Sequence, residues 1–205
     1  MSLILEGIVT TINDDGSVNV SPMGPAVDRD MDVLVLKPFQ TSRTYANLKR
    51  TGEGVFHVTD DVGLLARAAV KEAVAPMTFP AAAVEGHILA DACRWYAFRV
   101  RLLEDSQPRT RIEAEVIDRG VIREFFGFNR AKHAVLEAAI LATRIELIPR
   151  QEILDEYRRL KVIVSKTGAA QEHQAFEFLE EYLQRSRRSL ETTPKATPSG
   201  REGRG

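Results

Sequence analysis

Hydrophobic residues in the first part of the chain follow a strand-like pattern. Residues 3–12 and 18–22 are rich in Leu, Ile, Val and Thr, which favour β-strands. Asp15 and Gly16 lie between the two segments, and Gly tolerates the positive φ that a tight hairpin turn requires. Residues 32–36 have the same character and end before a Lys-Pro pair. The pattern therefore predicts a β-hairpin followed by a short buried strand.

The next segment changes to helical periodicity in two places. Residues 41–48 open with hydroxyl side chains suited to an N-cap, and Gly52 lies where a C-cap would fall, so we expect a two-turn helix. A strand is predicted at 54–59, and the acidic pair after it can cap a second helix over 62–70. Residues 73–83 contain two prolines and are expected to form an irregular connection.

A second, longer hairpin is predicted from two segments of partly alternating β-branched and aromatic residues. They cover residues 92–103 and 110–126. Nearly every long-range element up to residue 126 is then an antiparallel strand. This favours a small barrel of Greek-key or related topology over a parallel α/β sheet, which needs a helix after almost every strand.

The period after Asn129, a candidate N-cap, becomes helical and remains so. Three apolar stripes follow, and Pro149 and Gly168 separate them, which predicts three helices. Residues 189–205 are mostly Thr, Pro, Ser, Gly, Lys and Arg, so we expect a disordered tail there. The expected organisation is a barrel domain over residues 1–127, a helical C-terminal subdomain over 128–188 and the tail over 189–205.

Charge and composition exclude several classes of protein. In 205 residues, 28 Lys and Arg oppose 29 Asp and Glu, giving a net charge of -1, so no overall field attracts nucleic acid or anionic lipid. Basic residues near the C-terminus are explained by a helix end and a solvated tail. No window has the roughly 20 apolar residues of a membrane helix. A single cysteine excludes an intrachain disulfide framework and fits a reducing compartment, so we expect a cytoplasmic protein.

The common catalytic motifs are absent from the sequence. It contains no Gly-Lys-Ser/Thr phosphate loop, no Gly-x-Gly-x-x-Gly, no Gly-x-Ser-x-Gly and no His-Glu-x-x-His. The four histidines lie far apart along the chain, so we expect no metal site. Cys93 lies beside Trp95 in an aromatic strand and is expected to be a small buried hydrophobic residue.

One polar cluster is a candidate site for binding a phosphate group. Thr41, Ser42, Arg43 and Thr44 stand at the start of the first predicted helix. A helix N-terminus offers unpaired N–H groups and a partial positive charge, and hydroxyls with a guanidinium add the donors that a phosphate monoester requires. The alternative is that Thr41 or Ser42 only caps the helix and that Arg43 is solvated.

The cluster belongs to a wider set of residues that resembles a known superfamily. Residues 9–11, 19–24, 37–38, 43–48 and 52–58 resemble, in order and spacing, the FMN-binding split-barrel proteins of the flavin reductase-like group. Within it, the chain is most similar to an uncharacterised domain-of-unknown-function family with a helical C-terminal part. The resemblance implies an α+β, mainly β fold, in which an antiparallel split β-barrel is followed by a C-terminal helical subdomain.

The resemblance also implies a site for FMN. Position by position, it assigns the phosphate to Ser42, Arg43 and Thr44 with Thr41, and the flavin ring to three residues of the second strand: Asn19, Ser21 and Met23. The sequence departs from the superfamily twice. Arg43 stands where an acidic residue is usual, which strengthens an anion site but alters its geometry. His57 replaces a common Asn in the fourth strand, which leaves the flavin contacts there open.

The superfamily further implies a homodimer with the flavin at the seam between two barrels. Trp95, Tyr96 or an aromatic residue of the second subunit would then cover the ring, and ordinary core or dimer packing is the alternative for Trp95 and Tyr96.

Two hypotheses for function follow. The first is an FMN-dependent oxidoreductase or flavin reductase that takes hydride from a nicotinamide or deazaflavin donor, because the flavin carries the redox chemistry and the protein needs no acid or base of its own. The second is a non-enzymatic split barrel that binds a flavin, haem or pterin-like ligand as a carrier or sensor and uses its helices as an interaction module.

Overall fold

The computed structural model describes residues 3–191, which form ten strands and five helices. The strands are β1 (Leu3–Ile4), β2 (Gly7–Ile12), β3 (Val18–Met23), β4 (Ala26–Val27), β5 (Val33–Leu36), β6 (Glu53–Val58), β7 (Thr78–Pro80), β8 (His87–Leu89), β9 (Arg94–Glu104) and β10 (Arg111–Val121). The helices are α1 (Arg43–Thr51), α2 (Val62–Ala69), α3 (Arg130–Ala142), α4 (Arg150–Thr167) and α5 (Ala170–Glu191).

Eight of the strands form one curled antiparallel sheet in the order β1-β4-β5-β10-β9-β6-β2-β3. Strands β1 and β3 stand at its two ends and do not pair with each other, so the sheet is a barrel left open along one seam, a split barrel. The predicted antiparallel barrel, followed by three helices, is confirmed. One edge of β3 has no neighbouring strand among residues 3–191.

The first hairpin forms as the sequence predicts. Strands β2 and β3 pair in register with Val9 opposite Ser21 and Thr11 opposite Asn19. Gly16 in the turn has a φ of 80°, in the left-handed region that favours glycine.

The two short helices of the barrel domain also begin where the sequence predicts. Ser42 is the N-cap of α1, and Gly52 ends the helix in the left-handed conformation with a φ of 69°. Asp61 caps α2 because its carboxylate accepts a 3.0 Å hydrogen bond from the Leu64 N–H.

The prediction of an irregular connection over residues 73–83 was wrong in part. This segment contains β7, which pairs with β8 in a separate two-stranded sheet that the sequence pattern missed. Three-residue strands are too short to show alternation, and Pro80 signals a break although it only ends β7. A long-range contact holds the small sheet in place, since the Thr10 hydroxyl donates a 2.6 Å hydrogen bond to the His87 carbonyl.

Strand β10 is shorter than predicted. It ends at Val121 instead of residue 126, because the chain bends at residues 122–123, where the Ile122 N–H donates a 3.0 Å hydrogen bond to the Cys93 carbonyl. The apolar residues that follow continue the hydrophobic pattern, but they lie on the surface of the connection to α3. Phe126 is 85% exposed and Phe128 is 96% exposed.

The two largest of three hydrophobic cores in residues 3–191 lie on opposite faces of the sheet. The interior of the barrel is filled from β2, β5, β6, β9 and β10, with Phe56 and Phe98 as its largest fully buried side chains. The second core lies between the outer face of the sheet, α2 and the three C-terminal helices. It joins Ile8 and Leu65 to Phe176 and Leu179, so the helices pack directly on the barrel domain.

The three C-terminal helices begin at the predicted signals. The Asn129 side chain accepts a 3.1 Å hydrogen bond from the Lys132 N–H and donates one of 3.0 Å to the Thr167 carbonyl, which ties the start of α3 to the end of α4. The Tyr157 hydroxyl donates a 2.6 Å bond to the Ala138 carbonyl. Helix α5 extends to Glu191, and the rest of the predicted tail, residues 192–205, lies outside the described residues.

An ionic network joins the barrel to the helices. Asp60 is only 8% exposed, and its carboxylate bonds the Arg123 guanidinium at 2.6 Å and the Phe126 N–H at 3.1 Å. Lys132 on α3 donates a 2.8 Å bond to the Asp60 carbonyl and forms a 2.8 Å salt bridge with Glu172 on α5. The Arg123 hydrogen bond is the main cause of a lowered pKa of the Asp60 carboxyl. Among the described helices, none is long and apolar enough to cross a membrane.

Candidate functional site

The N-terminus of α1 presents unused hydrogen-bond donors. Within residues 3–191, the backbone N–H groups of Arg43 and Thr44 have no acceptor. The Ser42 hydroxyl, in contrast, donates a 2.7 Å bond to the Phe39 carbonyl and accepts one of 3.2 Å from the Tyr45 N–H. Its single proton is therefore committed to the protein, and Ser42 acts here as the helix cap.

Arg43 and Thr41 are the exposed side chains of the cluster. Arg43 forms no salt bridge with any residue in the described part of the chain. Its charge contributes to a lowered pKa of the Asp15 carboxyl, although the hydrogen bonds from Ser17 contribute more. Arg43 therefore lies near the turn between β2 and β3, with its guanidinium free for an anion.

Thr44 links the helix to the sheet. Its side chain is 2% exposed, and its hydroxyl oxygen accepts a 3.1 Å hydrogen bond from the Asn19 amide. The same Asn19 amide donates a 3.2 Å bond to the Thr11 hydroxyl oxygen. Asn47, one turn along α1, donates 2.9 Å bonds to Thr11 and Asn13. Asn47 thus braces the helix against the end of β2.

The three residues predicted to border a flavin ring form one row on β3. Asn19, Ser21 and Met23 alternate along the strand, and all three are half-buried. Met23 packs against the barrel core, and Asn19 reaches the start of α1. The structure therefore brings Asn19 next to the cluster at residues 41–44, with the unpaired edge of β3 beside it.

The aromatic residues of β9 are part of the barrel packing. Tyr96 is buried in the interior core, with its ring centroid 6.4 Å from that of Phe56. Trp95 packs over Gly120, where an added Cβ would approach the indole to within 2.5 Å. Ordinary packing within this chain therefore accounts for both side chains.

His57 is a structural brace inside the barrel wall. It is fully buried, its Nδ1 lies 3.2 Å from the Ile8 carbonyl, and its Nε2 accepts a 3.1 Å bond from the Leu89 N–H. These partners require the neutral ring with its proton on Nδ1. Burial lowers the pKa of His57 to about 4. The imidazole joins β2, β6 and β8 and has no exposed surface for a ligand.

Other candidate chemistry lies away from this cluster. Cys93 is fully buried, and burial raises the pKa of its thiol, in keeping with a small packed side chain. No group of three His, Cys, Asp or Glu side chains in the described part of the chain could hold a metal ion. An apolar groove of about 810 Å³ lies at the other end of the sheet, beside β1, β4 and β5, with Arg29, Lys37 and Arg111 among its lining residues.

Two loops that contact each other beside the cluster were not indicated by the sequence pattern. They are the segment of Phe39 and Gln40 and the turn between β9 and β10. Gln40 donates side-chain hydrogen bonds to the carbonyls of Asp105 and Gln107. These residues lie in loops that are far apart in sequence, so no periodic pattern could bring them together.

The open antiparallel sheet, the helix start beside its edge strand and the appended helices define a split-barrel protein of the flavin reductase-like fold. The chain belongs to the family described as protein of unknown function (DUF447). The model of its N-terminal domain matches residues 5–123, and a second model of the family matches residues 129–181.

Solved structures share this architecture. An FMN-bound protein of the same family from Methanosarcina mazei matches with a TM-score of 0.76 and 23% identity, covering 89% of this chain and 96% of that chain. Component B of nitrilotriacetate monooxygenase from Mycobacterium thermoresistibile matches with a TM-score of 0.50 and 15% identity over 60% of this chain and 71% of that one. A search of functionally curated proteins found no match to this sequence.

Proposed function

We propose that this protein binds FMN, with the phosphate at the N-terminus of α1 and the flavin ring along β3. The observation that carries the proposal is the pair of unused N–H groups at Arg43 and Thr44, beside a free guanidinium and next to the half-buried row on β3. A phosphate is an acceptor of hydrogen bonds, and a helix N-terminus with an added cation is a favourable environment for it.

The donor set suits the phosphate group. Arg43 can provide a charge-assisted hydrogen bond, and Thr41 offers an exposed hydroxyl. Thr44 contributes through its backbone N–H, because its side chain is only 2% exposed; its hydroxyl oxygen accepts the bond from Asn19. Ser42 holds the helix start in place through its two hydrogen bonds.

The strand edge suits the flavin ring. The pyrimidine end of the ring carries an N–H donor and carbonyl acceptors, and the unpaired edge of β3 offers backbone groups of both kinds. Ser21 adds a hydroxyl, and the carbonyl oxygen of Asn19 remains an acceptor because the amide nitrogen makes both of that side chain's bonds. Met23 supplies an apolar, polarisable contact. The FMN-bound protein of the same family from Methanosarcina mazei supports FMN as the ligand.

Bound FMN would supply hydride transfer, and the polypeptide would bind and orient it. We therefore propose an FMN-dependent oxidoreductase or flavin reductase, with a nicotinamide or deazaflavin as hydride donor. We also propose a homodimer. Phe125, Phe126 and Phe128 expose three aromatic rings within four residues, and burying such rings between subunits removes a large apolar area from water.

The test uses the purified full-length protein with added FMN. Binding is measured by the absorption and fluorescence of the flavin, reduction by anaerobic addition of NADH, NADPH or a reduced deazaflavin, and oligomeric state by sedimentation. Bound flavin that one of these donors bleaches supports the enzyme, and a species of twice the chain mass supports the dimer. Flavin that binds but that no donor reduces makes the protein a carrier or sensor. Failure to bind FMN overturns the proposal.

A further inference from the structure

The loop that leads into α1 lies against the turn between β9 and β10. The Gln40 N–H donates a 3.0 Å hydrogen bond to the Pro108 carbonyl. The Thr110 N–H and hydroxyl both donate to the Pro38 carbonyl, at 3.0 and 2.8 Å. The Arg109 guanidinium lies 5.3 Å from the centre of the Phe39 ring. Residues 38–40 are thus attached to residues 108–110.

The Gln40 side chain makes this contact specific. Its amide nitrogen donates 2.6 and 2.8 Å hydrogen bonds to the carbonyls of Asp105 and Gln107. One side-chain amide therefore uses both of its hydrogens to bind two carbonyls of the turn. Gln40 stands two residues before the Ser42 cap and three before Arg43.

The Asp105 carboxylate fixes the other side of the helix start. It accepts a 2.7 Å hydrogen bond from the Tyr45 hydroxyl and forms a 2.8 Å salt bridge with Lys49. The hydrogen bond with Lys49 is the main cause of a lowered pKa of the Asp105 carboxyl, and the same bond raises the pKa of Lys49. Both groups are therefore charged at neutral pH.

The two contacts bracket the anion site, since Gln40 precedes it and Tyr45 follows it in the first turn of α1. We propose that Gln40 and Asp105 are positioning residues that set the direction of the Arg43 and Thr44 N–H groups, and hence the selectivity of the site for a phosphate. This proposal rests on the FMN site proposed above. Exposed ion pairs and hydrogen bonds add little to global stability, so their main effect here is local orientation.

The experiment compares FMN with riboflavin, which has the same ring but no phosphate. Dissociation constants for both are measured by flavin fluorescence for the wild type, Gln40→Ala and Asp105→Asn. The ratio of the riboflavin constant to the FMN constant reports the contribution of the phosphate. Glu115→Gln is the matched control. Glu115 on β10 forms a salt bridge with Arg101 on β9, but it does not contact residues 37–42.

We expect each positioning variant to lower this ratio about three- to tenfold, with the riboflavin constant unchanged and the control equal to the wild type. The two variants alter different contacts, so loss of folding in one, seen as a lost thermal transition, leaves the other to decide. An unchanged ratio in the folded variants overturns the positioning role while leaving the FMN site intact. A wild-type ratio near one removes the phosphate site itself, and both proposals fail.

Discussion

The Asn19 amide donates a 3.1 Å hydrogen bond to the Thr44 hydroxyl oxygen, which joins the edge strand of the sheet to the first turn of α1. Asn19 and Thr44 come from the two parts of the sequence that the split-barrel resemblance assigned to the flavin ring and to the phosphate. The bond sets the spacing between the row on β3 and the donors of the helix. In the binding mode proposed above, the FMN ring would contact this row and the phosphate would contact these donors.

Removing the Arg43 guanidinium is expected to weaken the binding of FMN but not that of riboflavin. Arg43→Ala should raise the FMN dissociation constant about tenfold or more, because a hydrogen bond to a charged group contributes about 1.5–3 kcal/mol. Titration with riboflavin should give the wild-type constant. Arg158→Ala is a control with the same charge change, since Arg158 lies on α4 in an exposed pair with Asp155. Equal FMN affinity for Arg43→Ala and the control would move the anchor elsewhere.

Acid is expected to destabilise the fold through His57. Its pKa is about 4 in the folded chain against an ordinary value of 6.5, so folding favours the neutral ring. This contribution is complete above pH 6.5 and is lost as the pH falls towards 4, by about 3 kcal/mol in all. His57→Gln keeps an amide donor and acceptor without titrating. Urea unfolding at several pH values should show a shallower decline for His57→Gln, and parallel curves would contradict the assignment.

Breaking the ionic network is expected to loosen the junction between barrel and helices. Arg123→Met removes the 2.6 Å partner of the nearly buried Asp60 carboxylate, so the free energy of unfolding should fall by about 1–3 kcal/mol. Arg159→Met, which breaks an exposed pair with Glu156 on α4, should change it by less than about 1 kcal/mol. Chemical denaturation measures the free energy of unfolding of both variants. Similar losses would show that the network stabilises the protein no more than an exposed ion pair does.

The single tryptophan reports on packing at β10. An Ala side chain at position 120 would approach the Trp95 indole to within 2.5 Å, so Gly120→Ala must displace the ring or the backbone. We expect a shift in the tryptophan emission and a loss of about 1–3 kcal/mol from overpacking. Emission and stability equal to those of the wild type would contradict the close contact.

Much of the fold follows from local signals in the sequence. The turn at Asp15 and Gly16, the cap at Ser42 and the cap at Asn129 each predict an element boundary, because they supply a required backbone conformation or satisfy free N–H groups. The small sheet of β7 and β8 was missed, since its strands are too short to alternate and long-range contacts hold them in place.

The sequence predicted which residue types stand at the candidate site, but not which hydrogen-bond partner each of them has. The sequence indicates hydroxyls and a cation at residues 41–44, yet it cannot show that the Ser42 proton goes to the Phe39 carbonyl or that Thr44 is buried against Asn19. His57 departs from the superfamily at a strand position, and only tertiary contacts with Ile8 and Leu89 reveal its bracing role.

A crystal structure of the protein with FMN would locate the phosphorus atom and so decide whether the phosphate binds at the N-terminus of α1. We predict that the phosphate oxygens lie within hydrogen-bonding distance of the Arg43 and Thr44 N–H groups, with the ring along β3. A phosphate bound in the groove beside β1, β4 and β5, near Lys37 and Arg111, would contradict the phosphate site at the N-terminus of α1.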